Sequence, residues 1–350
     1  MLRGTSRNQE IQMATPEKVL ITGGREVGGL TAFAAGLSEG FTALGILSEV
    51  VSPGQIFKRW RDLRDPSVLK ILSTTAVFAA PFARRAICVA HGFPRADAQG
   101  WRRMLAILGS FKLANSCSHA PLVAVSDYVA AHLRGLFNLK VAATIRNPVQ
   151  LSFLEPGAEM SERHYLTYVG RLIPAKNLHR LLPAMCDLQR ENPDLRICVI
   201  GDGPQRAELE SSFPRDPPIE FTGDLDPLEV RRYLQRTKVF VSGNEMEPFG
   251  ITYLEALSQG CAIGMPACGG GVEIAPEFVG TRVQLLPLSF DRQGLLSALR
   301  RALNSTGTPV SLAGYEPKAV AEAYLETDKS LPVANIEHRE RTPCASNRYV

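Results

Sequence analysis

The chain has 350 residues, 45% of them hydrophobic and 21% charged, with a formal net charge of +4. This is ordinary globular composition, with length for two domains of common size. No apolar run reaches the roughly 18 residues of a membrane span, and the seven cysteines lack the paired spacing of a disulfide framework.

The stretch MLRGTSRNQEIQMATPEK has no apolar signal core, so residues 1–15 read as a disordered lead. KVLIT (18–22) is a short apolar run and predicts a buried strand. GGREVGGLTAFAAGLSEG follows as a glycine-rich turn into an alanine-rich helix. AICVAHG (86–92) repeats the strand-then-turn form, with His91 at the strand end. LVAVSDYVAAHLRGLF (122–137) does so again, with Ser126 or Asp127 as helix cap. VAATIRNP (141–148) is a further strand. The polar LEPGAEMSERH (154–164) reads as a linker.

A second alternating set follows. YLTYVG (165–170), LRICVIGDG (195–203), IEFTG (219–223) and VFVSG (239–243) are strands. LHRLLPAMCDLQREN (178–192) is an amphipathic helix with Leu178, Leu181, Leu182, Met185 and Leu188 on one face. LEVRRYLQRT (228–237) is a helix between the last two strands. Strand–helix alternation predicts an α/β class protein with parallel sheets flanked by helices. The expected units are 16–155, 156–312, a helix within 313–331 and a disordered tail over 332–350. Ligands of such sheets bind beyond the carboxyl ends of the strands, so the cleft between the domains is the expected site.

Charge is asymmetric. Residues 1–150 hold 18 Lys+Arg against 9 Asp+Glu, while residues 151–350 hold 21 against 26. IFKRWRDLR (56–64) and WRRM (101–104) set Trp60 and Trp101 among Lys58, Arg59, Arg61, Arg64, Arg102 and Arg103. Such segments suit an anionic membrane surface, or form a solvated basic face with half-buried tryptophans. The charge is spread too thinly over loops and helices for nucleic acid. Cys88, Cys198 and Cys261 lie in apolar runs and are expected to be buried thiols in a reducing cytoplasm. Cys261 and Cys268 lack the spacing and histidines of a zinc site.

Three constellations carry chemistry. EPFGITYLE (247–255) predicts a helix from Pro248 to Gln259, opened by proline and closed by Gly260. Its mouth would offer the amides of Phe249, Gly250 and Ile251 to an anion. Glu247 and Glu255 would then lie about 12 Å apart along the axis, too far to share a metal or a proton. They would brace an extended ligand, or serve only as a dipole partner and a surface residue. VGRLIPAKN places Arg171 and Lys176 in a strand-to-helix turn, as phosphate ligands or ordinary loop cations. IGDGP sets Gly201, Asp202 and Gly203 at a third strand end, where the backbone can pass close to a base or ribose.

YVGRLIPAKN, LRICVIGDGP, IEFTGDLDPLEV, VFVSGNEMEPFGITYLEALSQGCAIG and GGGVEI, in this order over about 115 residues, resemble the donor domain of the retaining GT-B glycosyltransferases of family 4. GGREVGGLTAFAAGL, AHG, VAVSDYVAAHL and TIRNPVQ resemble their N-terminal domain more loosely. The resemblance implies two Rossmann-like domains and a nucleoside-diphosphate sugar donor. It further implies that Arg171 and Lys176 hold the diphosphate. Glu247 would contact sugar hydroxyls with the Phe249 and Gly250 amides, and Glu255 the ribose. Gly28 and Gly29 would make room for the diphosphate, with His91 near the transferred sugar; a strand-end core histidine is the alternative. Asn147-Pro148-Val149-Gln150 departs from the family's Asn-Gly-Val-Asp, and the N-terminal domain is short, so the acceptor, a glycan or glycolipid, does not carry over. DLD (224–226) resembles a metal-holding Asp-x-Asp, but its place before helix 228–237 makes Asp226 a cap, and no metal or other cofactor is expected. Two other readings stand beside this one: a nucleotide-sugar-binding protein without transferase activity, and a nicotinamide dehydrogenase suggested by GGREVGG, which lacks the full G-x-G-x-x-G.

Overall fold

A computed structural model describes residues 14–24, 28–94, 100–154, 163–213, 218–274, 282–305 and 310–330. The expected lead, linker and tail lie almost wholly outside these residues. The first half builds β1 (Lys18–Thr22), α1 (Gly29–Ala43), β2 (Leu47–Val51), α2 (Trp60–Arg64), β3 (Val68–Ser73), β4 (Ala86–Ala90), α3 (Trp101–Cys117), β5 (Leu122–Ala124), α4 (Asp127–Phe137) and β6 (Ala143–Thr144). The second builds β7 (Tyr165–Val169), α5 (Leu178–Glu191), β8 (Arg196–Ile200), α6 (Arg206–Ser212), β9 (Ile219–Gly223), α7 (Pro227–Gln235), β10 (Thr237–Val241), α8 (Ile251–Ser258), β11 (Ala262–Pro266), β12 (Val283–Leu286), α9 (Arg292–Leu303) and α10 (Pro317–Lys329).

The strands form two six-stranded sheets, in the orders β2-β1-β3-β4-β5-β6 and β12-β11-β10-β7-β8-β9. Every pairing is parallel. Strands covered on both faces read as continuous apolar runs rather than alternations. The five central residues of the predicted helical face of α5 are all buried. Strands β2 and β3 carry weaker signals. β3 is buried over its whole length yet contains Lys70, whose ammonium donates to the carbonyls of Asp65 (2.6 Å) and Val68 (2.8 Å). Burial lowers its pKa to about 7. Cys88, Cys198 and Cys261 are buried free thiols.

The chain returns to its first half at the end. α10 lies against α1, where a methyl on Gly40 would come within 2.0 Å of the Pro317 carbonyl. Arg85 and Asp328, both buried, form an ion pair, with Nε donating at 3.0 Å. The Asn147–Gln150 turn serves this crossing. Pro148 packs on Gly36, and the Val149 amide donates to the Tyr315 carbonyl at 2.9 Å. One apolar cluster therefore runs from the first domain into the second through Phe249, Leu254, Leu257 and Tyr315.

Candidate active site

The strand ends of the two sheets meet at the segment 244–255. The helix there is shorter than its sequence predicts. α8 starts at Ile251, with Gly250 as N-cap at φ 92°. Pro248 is not the first helical residue; it belongs to the preceding loop, where its carbonyl accepts from Ser126 Oγ at 2.5 Å. Gly250 is needed because its left-handed φ disfavours a side chain, and because a methyl would strike the Tyr253 ring at 2.5 Å. The Phe249 amide is consequently not a free donor: it turns back to the Glu247 carboxylate. The open first-turn amides fall to Ile251 and Thr252. The 12 Å spacing of the two glutamates, which assumed continuous helix, does not apply. Glu255 lies one turn beyond Ile251, about 6 Å along the axis.

Glu247 accepts from Lys176 Nζ at 2.8 Å and from Asn244 Nδ2 at 2.7 Å. Burial alone would raise its pKa. The Lys176 charge and the bonds from Lys176, Asn244 and the Phe249 amide outweigh that and hold it below the ordinary value. Lys176 reaches this position because Asn177 adopts a left-handed conformation (φ 55°) and donates to the Gly243 carbonyl at 2.9 Å. Arg171 stands exposed at the end of β7, and its guanidinium has no partner among the described residues.

Glu255 is only 6% exposed, and its carboxylate has no partner among the described residues. Burial pushes its pKa up to about 7. A buried carboxyl left without a donor costs stability and awaits a ligand group that can pair with it.

The IGDG turn has another use than its sequence suggests. Methyls on Gly201 and Gly203 would lie 2.2 and 2.4 Å from the carbonyls of Gly170 and Leu172. These glycines let the Arg171 loop pack down. Asp202 accepts from the Gly203 amide at 2.6 Å and pairs with Arg206. Asp226 is a helix cap, accepting from the Glu229 amide at 2.9 Å within a capping box.

In the first half, methyls on Gly28 and Gly29 would meet nothing within 4 Å among the described residues, so the start of α1 has room there. His91 follows β4, edge-on to Phe33 at 4.3 Å between ring centroids. Its Nε2 is buried without a hydrogen-bond partner among the described residues, and burial lowers its pKa to about 3, so the ring is neutral. The next residue, Gly92, faces Pro248: a methyl there would lie 3.4 Å from the proline ring. The two domains thus bring His91 beside the Glu247 loop.

Asn244 and the individual residues of the 269–273 loop belong to the site without a distinct signal of their own in the sequence. The Gly270 amide donates to the Glu247 carbonyl at 2.6 Å. Methyls on Gly269, Gly270 and Gly271 would strike Glu247, Pro248 and Tyr253 respectively. The glycine run was visible in the sequence; what it packs against was not.

Compared with known proteins, residues 153–311 match the family described as glycosyl transferases group 1. The crystal structure of Anabaena HepE in complex with UDP and glucose superposes with a TM-score of 0.63 at 16% identity, covering 90% of this chain and 97% of that one. WaaG, a glycosyltransferase involved in lipopolysaccharide biosynthesis, superposes with a TM-score of 0.62 at 14% identity over 91% and 98% of the two chains. The fold is GT-B. The sulfoquinovosyl transferase SQD2 of Arabidopsis thaliana is 32% identical over 195 residues, 53% of this chain and 36% of that protein. The chain spans about half or less of the length of such curated relatives. The described site lies within the residues that match this family model, and the contact of Gly92 with Pro248 brings His91 near it.

Proposed function

We propose that this protein is a retaining glycosyltransferase, moving a hexose-type sugar from a nucleoside-diphosphate sugar to an acceptor hydroxyl in polysaccharide or glycolipid assembly. The observation that carries the reading is one cluster on the group 1 domain. It comprises a Lys176–Glu247 pair just before α8 and a buried Glu255 within its second turn, with Arg171 in the same loop as Lys176; among the described residues neither Arg171 nor Glu255 has a side-chain partner. Arg171, Lys176 and the Ile251 amide face the diphosphate. Glu247 grips sugar hydroxyls and Glu255 the ribose hydroxyls. The neutral His91 offers its Nε2 to the sugar from the other domain.

As the bond from the anomeric carbon to the phosphate oxygen breaks, its electron pair goes to the diphosphate. The acceptor oxygen bonds to the anomeric carbon on the same face. The acceptor's proton passes to the leaving phosphate oxygen. Neither glutamate is then the general base. Fixed cations and amides stabilise the charge that develops on the leaving group. Arg171 and Lys176 take the place of a metal in neutralising the diphosphate, and Asp226 is already engaged as a cap. Domain closure excludes water from the donor.

Among the described residues no helix is long and apolar enough to cross a membrane. A peripheral place at the cytoplasmic membrane face is supported by an aromatic cluster. Phe57, Trp60 and Phe82 are 47%, 50% and 45% exposed, with ring centroids 6.0–6.4 Å apart, and Lys58, Arg61 and Arg84 stand nearby in the chain. Aromatic rings among cations suit the headgroup layer of anionic lipid.

A thermal-shift screen across UDP- and GDP-sugars, followed by transfer assays with the best binder, tests the proposal. Stabilisation by NAD alone would favour a dehydrogenase. Stabilisation by nucleotide sugars without hydrolysis or transfer would leave a binding protein.

A further inference from the structure

The turn Gly270–Glu273 ends in a carboxylate that leaves its own domain. Glu273 Oε2 accepts from the Asp127 amide at 2.9 Å, and Oε1 accepts from the Tyr128 amide at 2.6 Å. These are the first two amides of α4, which intrahelical bonds leave open. The carboxylate is aligned with the positive end of the helix dipole. Asp127 is steadied from its own domain by Thr144 Oγ1, at 2.7 Å. Beside this contact, Ser126 Oγ donates to the Pro248 carbonyl, and Gly92 faces the Pro248 ring. On the second domain these three contacts belong to the two loops that shape the candidate donor site.

We infer that Glu273 is a positioning residue. It clamps the 269–273 loop to the N-terminus of α4 and so sets the closure of the cleft. The inference rests on the glycosyl-transfer reading for its catalytic consequence, but not for its geometry. Glu273 touches no reacting group. It acts through Gly270, whose amide bonds Glu247, and through the domain angle that brings His91 to the sugar. Two charge-assisted bonds to one helix end are stronger and more directional than neutral ones.

The test uses the full chain, free and with UDP-glucose, and three variants: Glu273→Ala, Asp127→Pro and the double variant. Proline is well suited to the first helical position, and the extended Ser126 before it is compatible. Asp127→Pro therefore deletes one donor from the far side, together with the Thr144 bond to the Asp127 carboxylate, and leaves Glu273 itself in place. Small-angle scattering of the free proteins should show a larger radius of gyration for each single variant. The double variant should open no further than Glu273→Ala, because both remove one contact. UDP affinity should change by less than about threefold, while UDP-glucose transfer or hydrolysis falls on the order of 10²-fold, the scale of a small misplacement of reacting groups. Scattering curves identical to wild type in both single variants, or additive opening in the double, would overturn the clamp. If the variants open but the wild-type protein turns over no donor, the clamp stands and the transferase reading falls.

Discussion

Glu255→Gln separates the cost of a site residue from its use. Raising a carboxyl from 4.5 to about 7 corresponds to about 3 kcal/mol at roughly 1.36 kcal/mol per pH unit. The folded protein holds the proton more tightly than the unfolded chain. Below pH 4.5 both forms are protonated and the penalty is absent. Between 4.5 and 7 the unfolded chain ionises first, so stability falls as pH rises. Above 7 the full penalty is present. Glutamine fills the same space without the charge. Urea unfolding of the free protein should therefore show Glu255→Gln more stable than wild type by up to about 3 kcal/mol at pH 8, and equal to it near pH 4. Nucleotide binding should move the other way, weakening about tenfold as a charge-assisted bond to the ribose becomes a neutral one. A glutamine variant that is destabilised at pH 8, or whose advantage is the same at both pH values, would refute the buried-charge account. Tighter nucleotide binding by the variant would refute the ribose role.

Alanine at Arg171 or Lys176 should lower kcat by about 10²–10³ in a transfer assay, and by more than Glu247→Gln does; wild-type turnover in both would sink the assignment. Asp226→Ala should cost about 1 kcal/mol in thermal unfolding, as a lost N-cap does, with turnover and its response to a chelator unchanged. Gly29→Ala adds a methyl that meets nothing within 4 Å among the described residues, so its melting temperature should hold while donor affinity, read by calorimetry, falls. Joint replacement of Trp60 and Phe82 by alanine should abolish sedimentation with phosphatidylglycerol vesicles while leaving thermal stability within a degree or two; undiminished sedimentation would refute the docking role of this patch.

Local chemistry in the sequence determined much of this protein. Apolar runs ending in glycine gave the strands, a repeating apolar face gave α5, and Asp226 as a cap gave a helix start that the structure reproduces. These features were legible because periodicity and capping act over a few residues. β2 and β3 were harder to read: β2 is partly exposed, and β3 buries a lysine whose compensation comes from backbone carbonyls. The start of α8 was misplaced because a proline suits a first helical turn, whereas contacts from Ser126, Gly92 and Gly270 and the left-handed Gly250 hold Pro248 in a loop instead. Residue types in order pointed to Arg171, Lys176, Glu247 and Glu255, yet their order does not say which charges pair. Folding alone decided that Lys176 meets Glu247, that Glu255 is left buried without a partner among the described residues, and that Glu273 crosses to the other domain. Those outcomes depend on distance and desolvation between segments remote in sequence, and local sequence patterns encode neither.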